Sequence, residues 1–347
     1  MKHIKLIITS IVLILLAVFT VATLKTEDKP IVVSTFGLAT TQMKKDVLNP
    51  FTKQTGVATR TQFGDSAPRL VQVEHNKHSG IDVIELSQSN TQTAADKKIL
   101  KKLDFSKLHN FKYLTSEQQQ LARDTNGIPY TVNSIGIIYN PKTCGQLTEW
   151  NQLWNHRFRH RIAIPEITTT FGPAVLYLAG EHAGVPVTKD DGHAAFQSLA
   201  RLKPNVVKTY TQSSDLTNMF KTGEIDAAIV GDFAVSMIQL SNPNLKYQVP
   251  MSGTYANYNT VSILKTSQHE KTAYKYLDFR ISNTIQTRVA STTSQNSAPV
   301  NSSVHLSSTN SRNKTYGKVA QRARIINYSY VNSHLSEWIN HWNKLMN

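Results

Sequence analysis

Two patterns of apolar and polar positions alternate along most of the chain. Residues 31–36 and 81–86 are apolar runs of strand length, and each ends in a polar loop. Between them, residues 43–51 carry apolar side chains at helical spacing, and Gly56 follows where a helix cap belongs. This repeated order of strand, polar loop and helix predicts an α/β fold with a largely parallel sheet.

The same alternation continues through the second half of the chain. It predicts strands at 161–165, 206–210 and 227–230 and helices at 172–183 and 191–202, together with a helix from Asp215 that Ser213 or Ser214 caps. Residues 324–347 form an amphipathic pattern, and we interpret its two tryptophans, Trp338 and Trp342, as core-facing anchors.

Two long extended segments, 128–140 and 255–264, interrupt this alternation. A strand of that length can leave one lobe and enter a second. We therefore expect two α/β lobes with a cleft between them, where strand ends and helix N-termini meet a ligand.

The first 27 residues predict export. Lys2 and Lys5 precede an uncharged apolar run from Leu6 to Leu24, and Lys25 begins the charged segment that closes it. This pattern is typical of a signal peptide or an N-terminal membrane anchor, and both alternatives are open. Either one places the protein outside the bacterial cell membrane, at the cell wall or in a periplasm.

The composition is that of a folded globular protein, with 40% hydrophobic and 18% charged residues among 347. The net charge of +15 is unusual, but the lysines and arginines are spread along the chain. Nucleic-acid proteins cluster them with aromatic residues, so we interpret the charge as a solvated surface and expect no nucleic-acid partner. Attraction to an anionic cell wall or membrane is a further hypothesis.

Signatures of catalysis and cofactor binding are missing from the sequence. It contains no nucleophile elbow, phosphate loop, zinc-protease helix or dinucleotide fingerprint. The single cysteine, Cys144, follows a turn sequence and permits no intrachain disulfide. We expect a monomer that is not an enzyme and uses no cofactor and no metal.

Polar loops follow the predicted strands, and they supply the mixture of hydroxyl, amide, acidic and aromatic groups that small-molecule sites need. The candidate ligand-binding residues on them are Thr35, Phe36, Gly37, Asp65, Ser66, Ser87, Ser89, Glu166, Thr168, Thr169, Thr170, Phe171, Ser213, Ser214, Asp232, Tyr255, Asn257 and Asn259. Residues 168–172, which open a helix, would suit a ligand carboxylate or phosphate.

Ordered segments over roughly residues 30–300 carry a family resemblance: IVVSTFG, IPYTVNSIGIIYNP, RIAIPEITTTFGPA, GEIDAAIVGDFAV and GTYANYNTVSILK. Together they resemble the spermidine/putrescine-type solute-binding proteins of bacterial ABC importers. The resemblance implies a type II periplasmic-binding-protein fold and ABC permease subunits as partners. It also implies a first lobe of residues 28–134 plus 256–302 and a second of 135–255 plus 303–347.

The resemblance implies a polyamine or related amine as the solute, but Asn257 and Asn259 stand where that family typically has an aromatic residue and an aspartate. The carboxylates left to face a cation are Asp65, Glu166, Asp232 and Glu85. An aromatic box could form around the amine from the following side chains: Phe36, Phe171, Tyr255 and Tyr258.

Other functions remain as alternatives. A neutral or zwitterionic solute would fit the same fold. Ferric ion would need tyrosine pairs, either Tyr255 with Tyr258 or Tyr328 with Tyr330. An exported hydrolase and a wall-associated adhesin belong to different classes, and the adhesin predicts no ligand-dependent stabilisation.

Overall fold

The computed structural model describes residues 29–346, so the predicted signal peptide or anchor lies outside the described residues. Ten strands are hydrogen-bonded together: eight form a path in the order β2-β1-β3-β9-β4-β7-β5-β6, and off this path β10 pairs with β9 and β8 pairs with β4. Their bounds are β1 Ile31–Phe36, β2 Thr59–Gly64, β3 Val83–Ser87, β4 Ile128–Tyr139, β5 Ile162–Pro165, β6 Val206–Tyr210, β7 Ala227–Gly231, β8 Lys246–Gln248, β9 Thr254–Ile263 and β10 Ala323–Ile325.

Helices cover both faces of these strands. The described helices of seven or more residues are α1 Asn49–Thr55, α2 Ser66–His75, α3 Gln88–Asp96, α4 Ser116–Thr125, α5 Gly172–Ala183, α6 His193–Leu202, α7 Asp215–Lys221, α8 Asp232–Ser241, α9 Glu270–Arg280, α10 Asn283–Val289 and α11 Tyr328–Met346. None of the helices within residues 29–346 is long and apolar enough to cross a membrane.

The strand path divides into two sheets that share the long strand β4. Residues 128–134 of β4 pair with β9 in the first sheet, and residues 135–139 pair with β7 and β8 in the second. Within each sheet the outer strands are parallel: β1 with β2 and β3, and β5 with β6 and β7. The expected two-lobed α/β fold is therefore confirmed, with β4 and β9 as the crossing strands.

Each lobe has its own apolar core. Phe51, Val83 and Tyr276 belong to a core cluster of the first lobe, whereas Ile137 and Trp338 belong to a cluster of the second. Strands buried on both faces favour apolar residues, so β7 is a continuous run of small and apolar residues, whereas β3 also carries the buried Glu85.

The C-terminal helix begins later than the sequence pattern predicts. Residues 323–325 form β10 and pair in parallel with residues 254–256 of β9, so α11 starts only at Tyr328. Trp338 is 1% exposed and Trp342 is fully buried, which confirms that they are core anchors. The predicted α5 and β6 have the expected bounds.

Candidate functional site

The loops that follow β1, β2 and β3 lie together at one edge of the first sheet, because these strands are parallel. Ser66, at the start of α2, accepts a hydrogen bond from the backbone N–H of Ser87 at 3.0 Å. The Asn90 side chain donates to both hydroxyls, at 3.0 Å for Ser66 and 3.1 Å for Ser87. Asp65 and Gly37 are exposed beside them. Asn90 was not among the predicted residues, although it directly follows a predicted strand-end loop.

Glu85 was one of the carboxylates expected to face a cationic solute, and this expectation is wrong. Its side chain is fully buried, and the Arg280 guanidinium donates to Oε1 at 2.8 Å. Burial alone would raise the pKa of Glu85, but the Arg280 charge and hydrogen bonds outweigh burial and hold this pKa below its usual value. Thr35 donates to Oε2 at 2.6 Å, so the hydroxyl of this predicted site residue already has a structural partner.

Phe36 and Ser89 also have partners within the protein. The Arg69 guanidinium lies 5.0 Å from the centroid of the Phe36 ring, so a cation of the chain already covers that ring. Ser89 donates to Asn332 Oδ1 at 3.0 Å, and this contact joins α3 of the first lobe to α11 of the second.

The loops that follow β5, β6 and β7 lie at one edge of the second sheet, again because the strands are parallel. Glu166 is half-buried, and its carboxylate accepts the neighbouring backbone N–H of Ile167 at 3.1 Å. Thr169 donates its hydroxyl to the Glu166 carbonyl at 2.7 Å, which closes the turn before α5. Two further predicted residues, Thr168 and Thr170, are exposed on this turn.

The predicted cap of α7 is wrong. Ser214 has helical backbone angles, φ −61° and ψ −28°, and its side chain makes no capping hydrogen bond. The side chain of Ser213 is half-buried, and that of Ser214 is exposed.

The register of the crossing strands separates the predicted residues between two faces. Asn133 lies opposite Asn257 and Ser134 lies opposite Ala256, and successive side chains of a strand point to opposite faces. Gly231, opposite Ile135, shares the Asn133 and Asn257 face.

Phe171 packs on this same face. A methyl group added to Gly231 would lie 2.4 Å from the Phe171 ring. Phe171 in turn stacks on Phe233, with ring centroids 6.2 Å apart. The face defined by Asn257, Gly231 and Phe171 is called the Asn257 face below.

Asp232 lies on the opposite face, with Ser134. The Thr315 hydroxyl bonds both the Ser134 hydroxyl, at 2.7 Å, and Asp232 Oδ2, at 2.6 Å. Burial raises the pKa of Asp232 to about 7, although hydrogen bonds from Thr315 oppose the shift. The expectation that Asp232 and Asn257 approach one solute together is therefore corrected by the strand alternation.

Asn257 is 1% exposed, and its side-chain carbonyl oxygen has no hydrogen-bond partner within residues 29–346. Its amide nitrogen donates weakly to the Tyr258 carbonyl, at 3.3 Å. Two residues further on, Asn259 is half-buried opposite Ser87 of β3. An unpaired amide oxygen in a buried position is costly, so a bound hydrogen-bond donor would stabilise this atom.

The expected aromatic box does not form. Tyr255 and Tyr258 are three positions apart on β9 and belong to the cores of different lobes. The Tyr255 hydroxyl donates to Glu181, and the Arg324 guanidinium lies 4.6 Å from the centroid of its ring.

The tyrosines of the second pair considered for iron, Tyr328 and Tyr330, have hydrogen-bond partners within the chain. Tyr328 donates to the Thr170 carbonyl at 3.1 Å, and Tyr330 donates to Asp191 at 2.6 Å. The part of the chain that the structure describes holds no cluster of three or more His, Cys, Asp or Glu side chains suited to a metal ion. Burial raises the pKa of Cys144 to about 11, so its thiolate is scarce near neutral pH.

Two α/β lobes joined by paired crossing strands define a solute-binding protein fold. A family model described as bacterial extracellular solute-binding protein matches residues 46–317. The chain therefore belongs to this family and is the extracellular solute-binding component of an ABC transporter. Such components bind small solutes and work with permease subunits.

Individual relatives agree with this assignment. An ABC transporter structure from Clostridium perfringens is 41% identical, with a TM-score of 0.85, and covers 91% of this chain and 100% of that one. The putrescine-binding periplasmic protein SpuD of Pseudomonas aeruginosa is 25% identical over 67% of this chain and 69% of its own length. The spermidine/putrescine substrate-binding protein PotD of Streptococcus pneumoniae shares the fold, at 16% identity and a TM-score of 0.75, over 92% of this chain and 100% of that one.

Proposed function

We propose that this protein captures a small solute bearing a protonated amine, with a polyamine favoured, and delivers it to its permease. The single observation that carries the proposal is the unpaired carbonyl oxygen of the buried Asn257 side chain. An ammonium group has only donors to offer, so it would satisfy this acceptor. A putrescine-binding relative among the similar proteins supports the same class of solute.

Charge compensation would come from the two strand-end loops. Asp65 belongs to the first lobe and Glu166 to the second, and neither carboxylate is fully buried in this structure. One acid on each lobe would suit a solute with an amine at each end, because each charge would keep a partner when water is displaced. The stacked rings of Phe171 and Phe233 offer an apolar wall for the methylene groups between the amines.

Capture would occur by closure of the lobes about β4 and β9. We propose the lobe boundaries between residues 134 and 135, where the partner of β4 changes from β9 to β7, and between 255 and 256, where the pairing of β9 with β4 ends. The remaining strand-end residues, among them Ser66, Ser87, Thr168 and Asn259, would then line the closed cleft. We further propose that the protein acts as a monomer held near the membrane by its N-terminal segment.

Calorimetry on two substitutions at one position tests the proposal. Asn257→Asp replaces an amide with a carboxylate and should tighten putrescine or spermidine binding about tenfold, because hydrogen bonds to charged groups are stronger. Asn257→Leu should weaken binding at least about tenfold. Asn76→Asp, on an exposed loop, adds the same charge elsewhere and should change nothing.

The competing solute classes are separated in the same titrations. 4-Aminobutyrate serves as a zwitterion and glycerol as a neutral solute. Preference for either over both polyamines, or native polyamine affinity in Asn257→Leu, would contradict the amine assignment. Either result would leave the proposal of lobe closure intact, with another solute as the ligand.

A further inference from the structure

A basic cavity lies on the first lobe, away from the strand-end loops. It has a volume of about 260 Å³ and no acidic residue in its lining. Four cationic side chains line it: Lys98, Lys102, Arg123 and Lys265. The cavity that these four side chains line is called the basic cavity below.

The basic cavity is remote from the proposed solute site. Lys265 follows the C-terminal end of β9, and its N–H donates to the Ile99 carbonyl at 3.0 Å. Strand β9 is antiparallel to β3, whose own C-terminal residue Ser87 lies opposite Asn259. The basic cavity and the strand-end loops therefore occupy opposite edges of the first sheet, so its function does not depend on the proposed solute.

Three lysines near the basic cavity form salt bridges. Lys97 pairs with Glu74, Lys101 pairs with Glu270 at 2.9 Å, and Lys107 lies 3.7 Å from Glu270. Within residues 29–346, by contrast, no side chain of the basic cavity has a carboxylate within salt-bridge distance. Unpaired like charges around one cavity repel, and an anion bound there would relieve the repulsion.

Contacts within the protein position two residues of the cavity wall, Arg123 and Asn126. The Arg123 guanidinium lies 5.4 Å from the Phe105 ring centroid and 5.3 Å from that of Phe111. Asn126 has a left-handed backbone, φ 58°, and its side-chain oxygen accepts the N–H of Leu103 at 3.0 Å. An arginine positioned against aromatic rings presents a planar fork of donors, which matches two oxygens of a phosphate group.

The floor of the cavity is apolar. Leu100 is 4% exposed and Leu103 is 5% exposed, and Ala95 and Phe105 complete the lining. The four cationic side chains are exposed, and this apolar floor can accept the carbon part of an ester.

We propose that the basic cavity is a second ligand site, which binds the phosphate group of an anionic phosphate ester. Lys98, Lys102 and Lys265 supply the charge, Arg123 supplies paired donors, and the leucines contact the alcohol part. The ester is a soluble phosphate ester or the headgroup of an anionic phospholipid, since both present the same chemistry.

Two triple variants of the full chain test this site. Lys98→Ala/Lys102→Ala/Lys265→Ala removes three cavity charges, whereas Lys97→Ala/Lys101→Ala/Lys107→Ala removes three paired charges nearby and lowers the net charge equally. Calorimetry with glycerol 3-phosphate and with monomeric dihexanoylphosphatidylglycerol gives the affinities. We expect the cavity variant to bind roughly tenfold or more weakly and the paired variant to bind as the native protein does.

The two probes also distinguish the sources. Tighter binding of the short-chain lipid assigns the site to a phospholipid headgroup, and equal or tighter binding of glycerol 3-phosphate assigns it to a soluble ester. Replacing Arg123 with Lys keeps the charge but removes the paired donors, and should weaken either probe. Equal affinities for the two triple variants, or no binding of either probe to the native chain at low salt, overturn the proposal.

Discussion

Thr315 donates both its backbone N–H and its hydroxyl to one carboxylate oxygen of Asp232, at 2.8 and 2.6 Å. The other carboxylate oxygen is buried without a partner among the described residues. Lys314 precedes Thr315, and burial lowers its pKa. Asp232 and Lys314 are therefore two titratable groups close to each other. Asp232, the first residue of α8, thus binds Thr315 of the C-terminal segment.

The first prediction concerns the stability of the protein against pH. Burial raises the pKa of Asp232 to about 7, so between about pH 4 and 7 the folded state binds a proton that the unfolded state has released. Folding stability from this group is therefore present at low pH and is lost as the pH rises to about 7, by on the order of 4 kcal/mol. Urea unfolding at a series of pH values measures this slope.

Asp232→Asn should abolish that part of the slope while keeping an acceptor for Thr315. Asp65→Asn, an exposed acid of the other lobe, serves as the control and should leave the slope unchanged. Asp232→Asn should also leave polyamine affinity unchanged, because Asp232 lies opposite the Asn257 face. A native slope in Asp232→Asn would show that another group causes it.

The second prediction concerns the buried ion pair of Glu85 and Arg280. Glu85→Gln leaves the guanidinium of Arg280, 2% exposed, without a counter-charge, which should cost about 3–5 kcal/mol of unfolding free energy. Adding Arg280→Met should recover part of that loss, because the unpaired charge is then gone. Urea unfolding measures both, and a single variant as stable as the native protein would refute the argument.

The third prediction concerns Gly172, where α5 begins. A methyl group here would lie 2.3 Å from the Glu166 carbonyl oxygen and 2.4 Å from the Ile167 Cα, and these are backbone atoms that cannot turn away. Gly172→Ala should therefore destabilise the protein by about 1–3 kcal/mol and weaken solute binding by distorting the turn that carries Thr168 and Thr170.

Gly37→Ala is the matched control, since its nearest contact would be an ordinary 3.6 Å. This second variant should stay within about 0.5 kcal/mol of the native stability. Denaturant unfolding compares the two, and equal stabilities would contradict the steric argument.

The sequence predicted the elements well because their signals are local. Val206–Tyr210 is a strand and Gly172–Ala183 a helix at the expected bounds, since an apolar run or a proline in the first turn is read from neighbouring residues. The grouping of strand-end loops followed from parallel pairing alone.

The partners and orientations of single side chains could not be predicted from neighbouring residues. Glu85 is paired with a residue 195 positions away, which no spacing along the chain indicates. Asp232 follows a strand end as Glu166 does, yet the register of β4 with β7 turns it to the face opposite Asn257. A sequence indicates that successive strand residues alternate, but only the assembled sheets tell which side faces a cleft.

The junction between the lobes consists of strands that stay hydrogen-bonded to each other where they cross, with Ser134 opposite Ala256. By the lobe bounds that the resemblance implies, the chain crosses a third time in the loop at residues 302 and 303, so any rotation of one lobe against the other must bend this ladder together with that loop. In the proposed closure, this joint would restrict the relative motion of the lobes to bending of the paired strands.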